Sequence, residues 1–205
     1  TGSPVVSPPI GVDAEITVKA DSLFERITPE ELWACTSCKA CDEICPVNIE
    51  ILDKILDMRR YLSLMESNFP TELGNAYRSM ENSSNPWGMS QGERADWAKG
   101  LDVPLIRNAA DMANVEWLFY VGSAESFDLN GQRIARAFVE ILREAGVRFG
   151  ILGAQEPTTG ECVRRAGNEM LFQQLAGTLV EAFNGLGVKR IITCDPHAFN
   201  SLRNE

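Results

Sequence analysis

Positive charge is scarce in this chain: 19 Lys and Arg stand against 29 Asp and Glu, and the one histidine leaves a formal charge of −10. That deficit argues against nucleic acid as a partner and against electrostatic docking on an anionic membrane face. Long apolar runs are also missing, and none approaches the ~20 residues that span a bilayer. Thr1-Gly2-Ser3-Pro4 lacks the basic and apolar regions of a signal peptide and reads as the start of a fragment or processed chain. Length is not lacking: 205 residues with 44% hydrophobic and 23% charged content suit one or two small domains with a real core.

Six cysteines are present, and four fall within eleven residues as Cys35-x-x-Cys38-x-x-Cys41-x-x-x-Cys45-Pro46. Such dense spacing does not suit disulfide geometry, so the run reads as a metal-binding loop in a reducing compartment. It matches the ferredoxin pattern C-x₂-C-x₂-C-x₃-C-P, in which thiolates hold a [4Fe–4S] cube and the fourth cysteine serves a neighbouring cube. Cys35, Cys38, Cys41 and Cys45 are therefore the expected metal ligands. One cluster is expected to be complete or shared, with a second completed by residues outside this chain. A Cys₄ zinc site and a purely structural cluster are the alternatives.

Residues 1–23, with Pro4, Pro8 and Pro9, read as an extended tail. Thr28-Pro29-Glu30-Glu31 marks a helix start through a cap, an N1 proline and a capping-box glutamate. Asn48 to about Ser67 is expected to be an amphipathic helix packed on the cysteine loop, with Ile51, Leu52, Ile55, Leu56, Leu62 and Met65 inward and Arg59 on the outer face. Residues 68–112 read as a connector, with a capping box at Ser90-Gln91-Gly92-Glu93. Beyond it, strands at Val115–Val121, Val147–Leu152 and Val188–Thr193 alternate with helices. The first helix, Gln132–Ala145, turns Ile134, Ala137, Phe138, Ile141 and Leu142 inward. A second runs from Glu161 to about Leu186, and another starts near Ala198. The fold class that follows is α+β: a small helical ferredoxin-type [4Fe–4S] domain (24–67), the connector, and an α/β domain with a short parallel sheet (113–205).

The segments Glu31-Leu32-Trp33-Ala34-Cys35, Asn85-Pro86-Trp87-Gly88, Tyr120-Val121-Gly122-Ser123-Ala124, Arg164-Arg165-Ala166-Gly167-Asn168-Glu169 and Pro196-His197-Ala198-Phe199-Asn200 resemble the heterodisulfide-reductase-D-like iron–sulfur proteins. The resemblance implies two ferredoxin motifs followed by a cysteine-rich CCG domain, of which this chain carries the second motif and part of the domain. It also implies an electron-transfer component of a membrane-associated oxidoreductase complex. Electron-transfer flavoprotein or a dehydrogenase would be the donor and a quinone the acceptor, with the chain on the cytoplasmic side of the membrane. A disulfide reductase and a non-redox scaffold are the competing readings.

Four cysteines that the likeness implies are replaced by Ser123, Thr158, Asp195 and Ala198, so the second domain is expected to hold no cluster of its own. Ser123, Thr158 and Asp195 follow predicted strands and should converge at the C-terminal edge of the sheet, where open α/β folds place ligands. With His197 they form the expected cofactor-binding pocket, degenerate relative to the family. Arg164 and Arg165 are expected either to line the same edge or to face solvent. Trp33, Trp87 and Trp97 are expected to shelter a cluster from water, while Cys194 and Cys162 read as small packing residues.

Overall fold

The computed structural model describes residue 24 and residues 26–205, so the tail expected at 1–23 lies outside the described residues. The protein is mostly helical, with one three-stranded parallel sheet. The chain divides into two compact units, the first ending at Phe69 and the second running Pro70–Glu205.

In the first unit, α1 (Pro29–Ala34) begins with the full capping box: Glu31 N–H donates to the Thr28 hydroxyl at 3.3 Å, and Thr28 N–H donates to Glu31 Oε2 at 2.8 Å. The chain then turns through two left-handed residues, Ser37 and Lys39, into α2 (Ala40–Glu43). α3 (Ile51–Leu64) has no cap of its own from Glu50. Asp42 of α2 supplies one instead, accepting Leu52 N–H at 3.0 Å, and this bond is the main reason its carboxyl lies below the usual range.

The inward stripe of α3 is Leu52, Leu56, Arg59, Leu62 and Ser63. Arg59, expected on the solvent side, is buried, because its guanidinium has fixed carbonyls to bind. It donates to Leu32 O at 2.6 and 3.1 Å, to Cys35 O at 2.6 Å and to the Ser37 hydroxyl at 3.2 Å. Met65, expected inside, is 75% exposed.

The second unit opens with α4 (Thr71–Ser83), where the sequence suggests only a connector. Its inward face is limited to Tyr77 and Met80, and it starts from Pro70 without a side-chain cap, so the usual start signal is missing. The Tyr77 hydroxyl donates to Ala166 O at 2.7 Å and anchors the helix. Ser90 caps as expected but opens a 3₁₀ turn, Gln91–Glu93, followed by a second at Asp96–Ala98, in place of a helix. A five-residue helix, α5 (Ala109–Ala113), precedes the sheet.

The sheet has the order β2-β1-β3, with β1 (Trp117–Phe119) central and parallel to both β2 (Phe149–Gly150) and β3 (Ile191–Ile192). Leu118 aligns with Gly150 on one side and with Ile191 on the other. Alternation along β1 assigns the layers. Phe119 and Val121 pack with α7 (Leu129–Glu144) and Trp97, whereas Leu118 and Tyr120 pack with α9 (Glu169–Leu186). A strand buried on both faces must be apolar throughout, hence the continuous run at this point in the sequence.

Two helical expectations change. The inner face of α7 is Gly131, Ala135, Val139 and Leu142, and Ile134 and Ile141 are more than half exposed. The small residues set this rotation, because even a methyl group at Gly131 would collide with the backbone of Ala124 in α6 (Ser123–Phe127). The helix expected from Glu161 to Leu186 is broken into α8 (Glu161–Arg165) and α9. Gly167 takes a positive φ of 83°, and Asn168 then caps α9 by accepting Leu171 N–H. The last helix, α10 (Pro196–Asn204), starts two residues earlier than expected, with Asp195 as its cap.

Arg59→Ala should cost the first unit about 3 kcal/mol, since it strands the buried carbonyl of Leu32 and the part-buried carbonyl of Cys35. A denaturant midpoint within error of the parent would show that these bonds carry no net stability.

Candidate functional site

The spacing of the cysteine loop predicts that it wraps a cluster, but the four thiols do not converge in the way a cube requires. Among the described residues, no group of three or more His, Cys, Asp or Glu side chains comes together as a metal site. The two left-handed turns and the α2 that follows them give each sulfur its own neighbours. Cys35 Sγ accepts Ser37 N–H at 3.4 Å, Cys45 Sγ accepts Ile49 N–H at 3.3 Å, and Cys41 Sγ donates to Asp42 Oδ1 at 3.5 Å. Their fields differ as well. The Cys38 thiol lies below its ordinary range, chiefly through the Ala40 N–H and then the Thr36 side chain. Burial and then Asp42 push Cys41 up. The residues in this arrangement do not fit a [4Fe–4S] cluster, complete or shared, and that expectation is corrected.

The tryptophans have other work. The Arg59 guanidinium stands over the Trp33 ring at 5.3 Å, and Trp97 packs edge-on to Phe119 in the core of the second unit. Trp87 is 52% exposed.

Ser123, Thr158, Asp195 and His197 do meet. All four line a single cavity of about 300 Å³ at the C-terminal ends of β1 and β3. Ser123 opens α6 directly after the β1 edge, Thr158 lies in the loop between β2 and α8, and Asp195 and His197 open α10. Parallel strands deliver all three connections to one end of the sheet, which is why residues far apart in sequence converge. Asp195 Oδ1 accepts His197 N–H at 2.8 Å, and the exposed imidazole lies 3.3 Å from Glu161 Oε1. Thr158 Oγ1 accepts Gly160 N–H at 3.3 Å and shapes the floor loop. Pro86 and Trp87 form part of the wall. Their loop is closed by Asn85, fully buried, which accepts Met89 N–H and donates to Ser83 O and Met89 O.

Behind the cavity lies a buried charge cluster that sequence reasoning misses. Arg94 and Glu156, each 1% exposed, pair at 2.8 Å. Glu156 also accepts Val121 N–H at 2.9 Å and Gly122 N–H at 3.0 Å, while Arg94 reaches the Ser123 hydroxyl at 3.3 Å. Glu125 is buried, its Oε2 has no hydrogen-bond partner among the described residues, and burial first and Asp195 second push its carboxyl up to about 7. The available signal is position: Glu156 stands two residues before Thr158 and Glu125 two after Ser123.

Arg164 and Arg165 do not line the cavity. Arg165 pairs with Glu161 at 2.6 Å and Arg164 with Glu205 at 2.9 Å. Ala198 is buried against Tyr120 and Leu179, and Cys194 packs against the α7-side core.

A probable iron–sulfur-binding oxidoreductase, FadF, of Bacillus subtilis is 44% identical over 183 residues, covering 87% of this chain and 26% of that protein. An EtfAB:quinone oxidoreductase of Syntrophomonas wolfei is 41% identical over 185 residues, covering 89% of this chain and 26% of that protein. A component of the dihydromethanophenazine:CoB–CoM heterodisulfide reductase of Methanosarcina mazei is 24% identical over 173 residues, covering 80% of this chain and 38% of that protein. The chain thus spans about a quarter of the length of the first two relatives. No family model matches the chain. No solved structure matches it.

The raised Glu125 carboxyl gives the second unit a testable pH dependence. The folded state keeps its proton up to about pH 7, whereas the unfolded chain releases it near the ordinary glutamate value. Unfolding therefore releases a proton in that window, and stability falls as pH rises through it, by about 3 kcal/mol at most. Glu125→Gln should flatten this fall and be the more stable protein at pH 8. Urea titrations at pH 5 and pH 8 check it, and an unchanged difference between the two pH values would refute it.

Proposed function

We propose, for a chain with family-level similarity to the iron–sulfur-binding, CCG-domain oxidoreductases, that it forms an electron-transferring segment of a larger membrane-associated oxidoreductase. Electrons enter from electron-transfer flavoprotein or a dehydrogenase and leave to a quinone, with the segment on the cytoplasmic side of the membrane. The observation that carries this reading is the 41% identity, across 89% of the chain, to a protein described as an EtfAB:quinone oxidoreductase. Among the described residues no helix is long and apolar enough to cross a membrane, so in this reading membrane association belongs to other parts of the assembly.

The net charge of −10 suits docking to a basic carrier surface. A disulfide-reducing site in the second unit is the weaker reading. Burial first, then Glu125, pushes the Cys194 thiol up to about 12, which holds it protonated and poorly nucleophilic.

The test is donor-to-quinone turnover by the full-length protein, with reduced electron-transfer flavoprotein as donor and a soluble menaquinone analogue as acceptor. The unaltered protein should pass electrons from the donor to the quinone analogue. Failure of the unaltered protein to reduce quinone with any flavoprotein or dehydrogenase donor would overturn the function itself.

A further inference from the structure

Helix α7 carries a second apolar stripe that the core does not use. Its inward face is Gly131, Ala135, Val139 and Leu142. At the helical period, Ile134, Ala137 and Ile141 fall on a separate stripe, about 120° round the helix from that face. All three are exposed, the isoleucines by 53% and 61%. The other flank of the helix is occupied: Arg136 and Arg143 donate to the carbonyls of Trp97, Lys99 and Asp102, which straps the connector along it. Charges border the free stripe in a set order. Arg133, Glu140 and Glu144 are spaced by seven and then four residues, so they share one edge of it, on the side away from the core, and all are exposed. Among the described residues no ion pair engages any of the three.

We propose that a second copy of this chain docks on this stripe, the two α7 helices packing antiparallel about a two-fold axis beside Ala137. Such an axis sets Ile134 of each copy against Ile141 of the other, and the small Ala137 lets the helices approach closely at the centre. Arg133 of each copy then stands level with the interval between the other's Glu140 and Glu144, and the symmetry makes this contact twice.

The order of the charges selects this arrangement. A parallel pair would set Arg133 against Arg133 and Glu140 against Glu140, whereas the antiparallel pair faces every charge with its opposite. A single patch that complements itself is what a two-fold contact requires, and a partner of one charge sign would be repelled by part of the edge. The helix has 16 residues and is about 24 Å long, so the contact lies at the small end of specific interfaces and the dimer forms at high concentration. The proposal is independent of the electron-transfer reading.

The experiment is sedimentation equilibrium of the 205-residue chain, at loading concentrations from about 5 to about 500 μM. The average mass should rise towards that of a dimer across this range. Ile134→Glu and Arg133→Glu should each weaken association by at least about tenfold. Ile141→Ser, a milder change at the facing position, should weaken it too, and it reads the same face even where Ile134→Glu fails to fold. Val180→Glu, at a comparably exposed apolar position on α9, should leave association unchanged. The double variant Glu140→Arg/Glu144→Arg should stay monomeric alone, yet mixing it with Arg133→Glu should restore association, because each edge then meets its opposite. A parent chain that remains monomeric throughout would overturn the proposal. So would association that survives the Ile134 and Ile141 changes, which would place the contact on another face, or two folded charge variants that fail to associate on mixing.

Discussion

The second unit depends on one carboxylate. Glu156 reaches back from the loop after β2 to take the N–H groups of Val121 and Gly122, at the point where β1 has run out of strand partners, and it carries Arg94 with it. Two otherwise orphaned donors, a guanidinium and a carboxylate are thereby satisfied together in a nearly solvent-free place. Removing one member would leave the other charged and alone, a situation that typically costs several kcal/mol. The ends of β1 and β2, the Ser123 hydroxyl and the end of the 3₁₀ turn that Arg94 caps are all fixed relative to this group. The cavity in front of it inherits that rigidity, so its shape belongs to the core and not to mobile loops.

Much of the architecture is legible in the sequence because it rests on local signals. The Thr28 capping box, the apolar run of β1 and the alternation of strands with helices need only neighbouring residues to be read. The convergence of Ser123, Thr158, Asp195 and His197 is legible for a topological reason: parallel strands deliver the connections after β1, β2 and β3 to one edge. What stays hidden is whatever a distant partner decides. Arg59 reads as a surface base until the carbonyls of Leu32 and Cys35 are seen around it. Ile134 and Ile141 read as core until Gly131 and Ala135 are seen to set the contact face by being small. Glu125 and Glu156 carry no signal beyond standing near residues already singled out.

The two units treat sequence likeness differently. In the second, the positions at which the family resemblance leads one to expect cysteine are filled by hydroxyls, a carboxylate and a buried alanine, and the hydroxyls and the carboxylate remain gathered round a cavity. In the first, the cysteine spacing is intact while the sulfurs are bound up in separate local hydrogen bonds. Spacing fixes how far apart thiols are along the chain. Their meeting depends on the backbone between them, and here Ser37 and Lys39 in the left-handed region turn that backbone twice.

The outer margin of β2 is already engaged, since Leu105 bridges to Ile151, with Ile106 N–H donating to Ile151 O and Ile151 N–H donating to Pro104 O. The sheet is thus finished on that flank and open on the other, where Ile191 and Ile192 form the only free border among the described strands. Among the described strands, growth of the sheet has a single address. A two-residue margin is a short template, which guards against indiscriminate stacking while still admitting a matched addition.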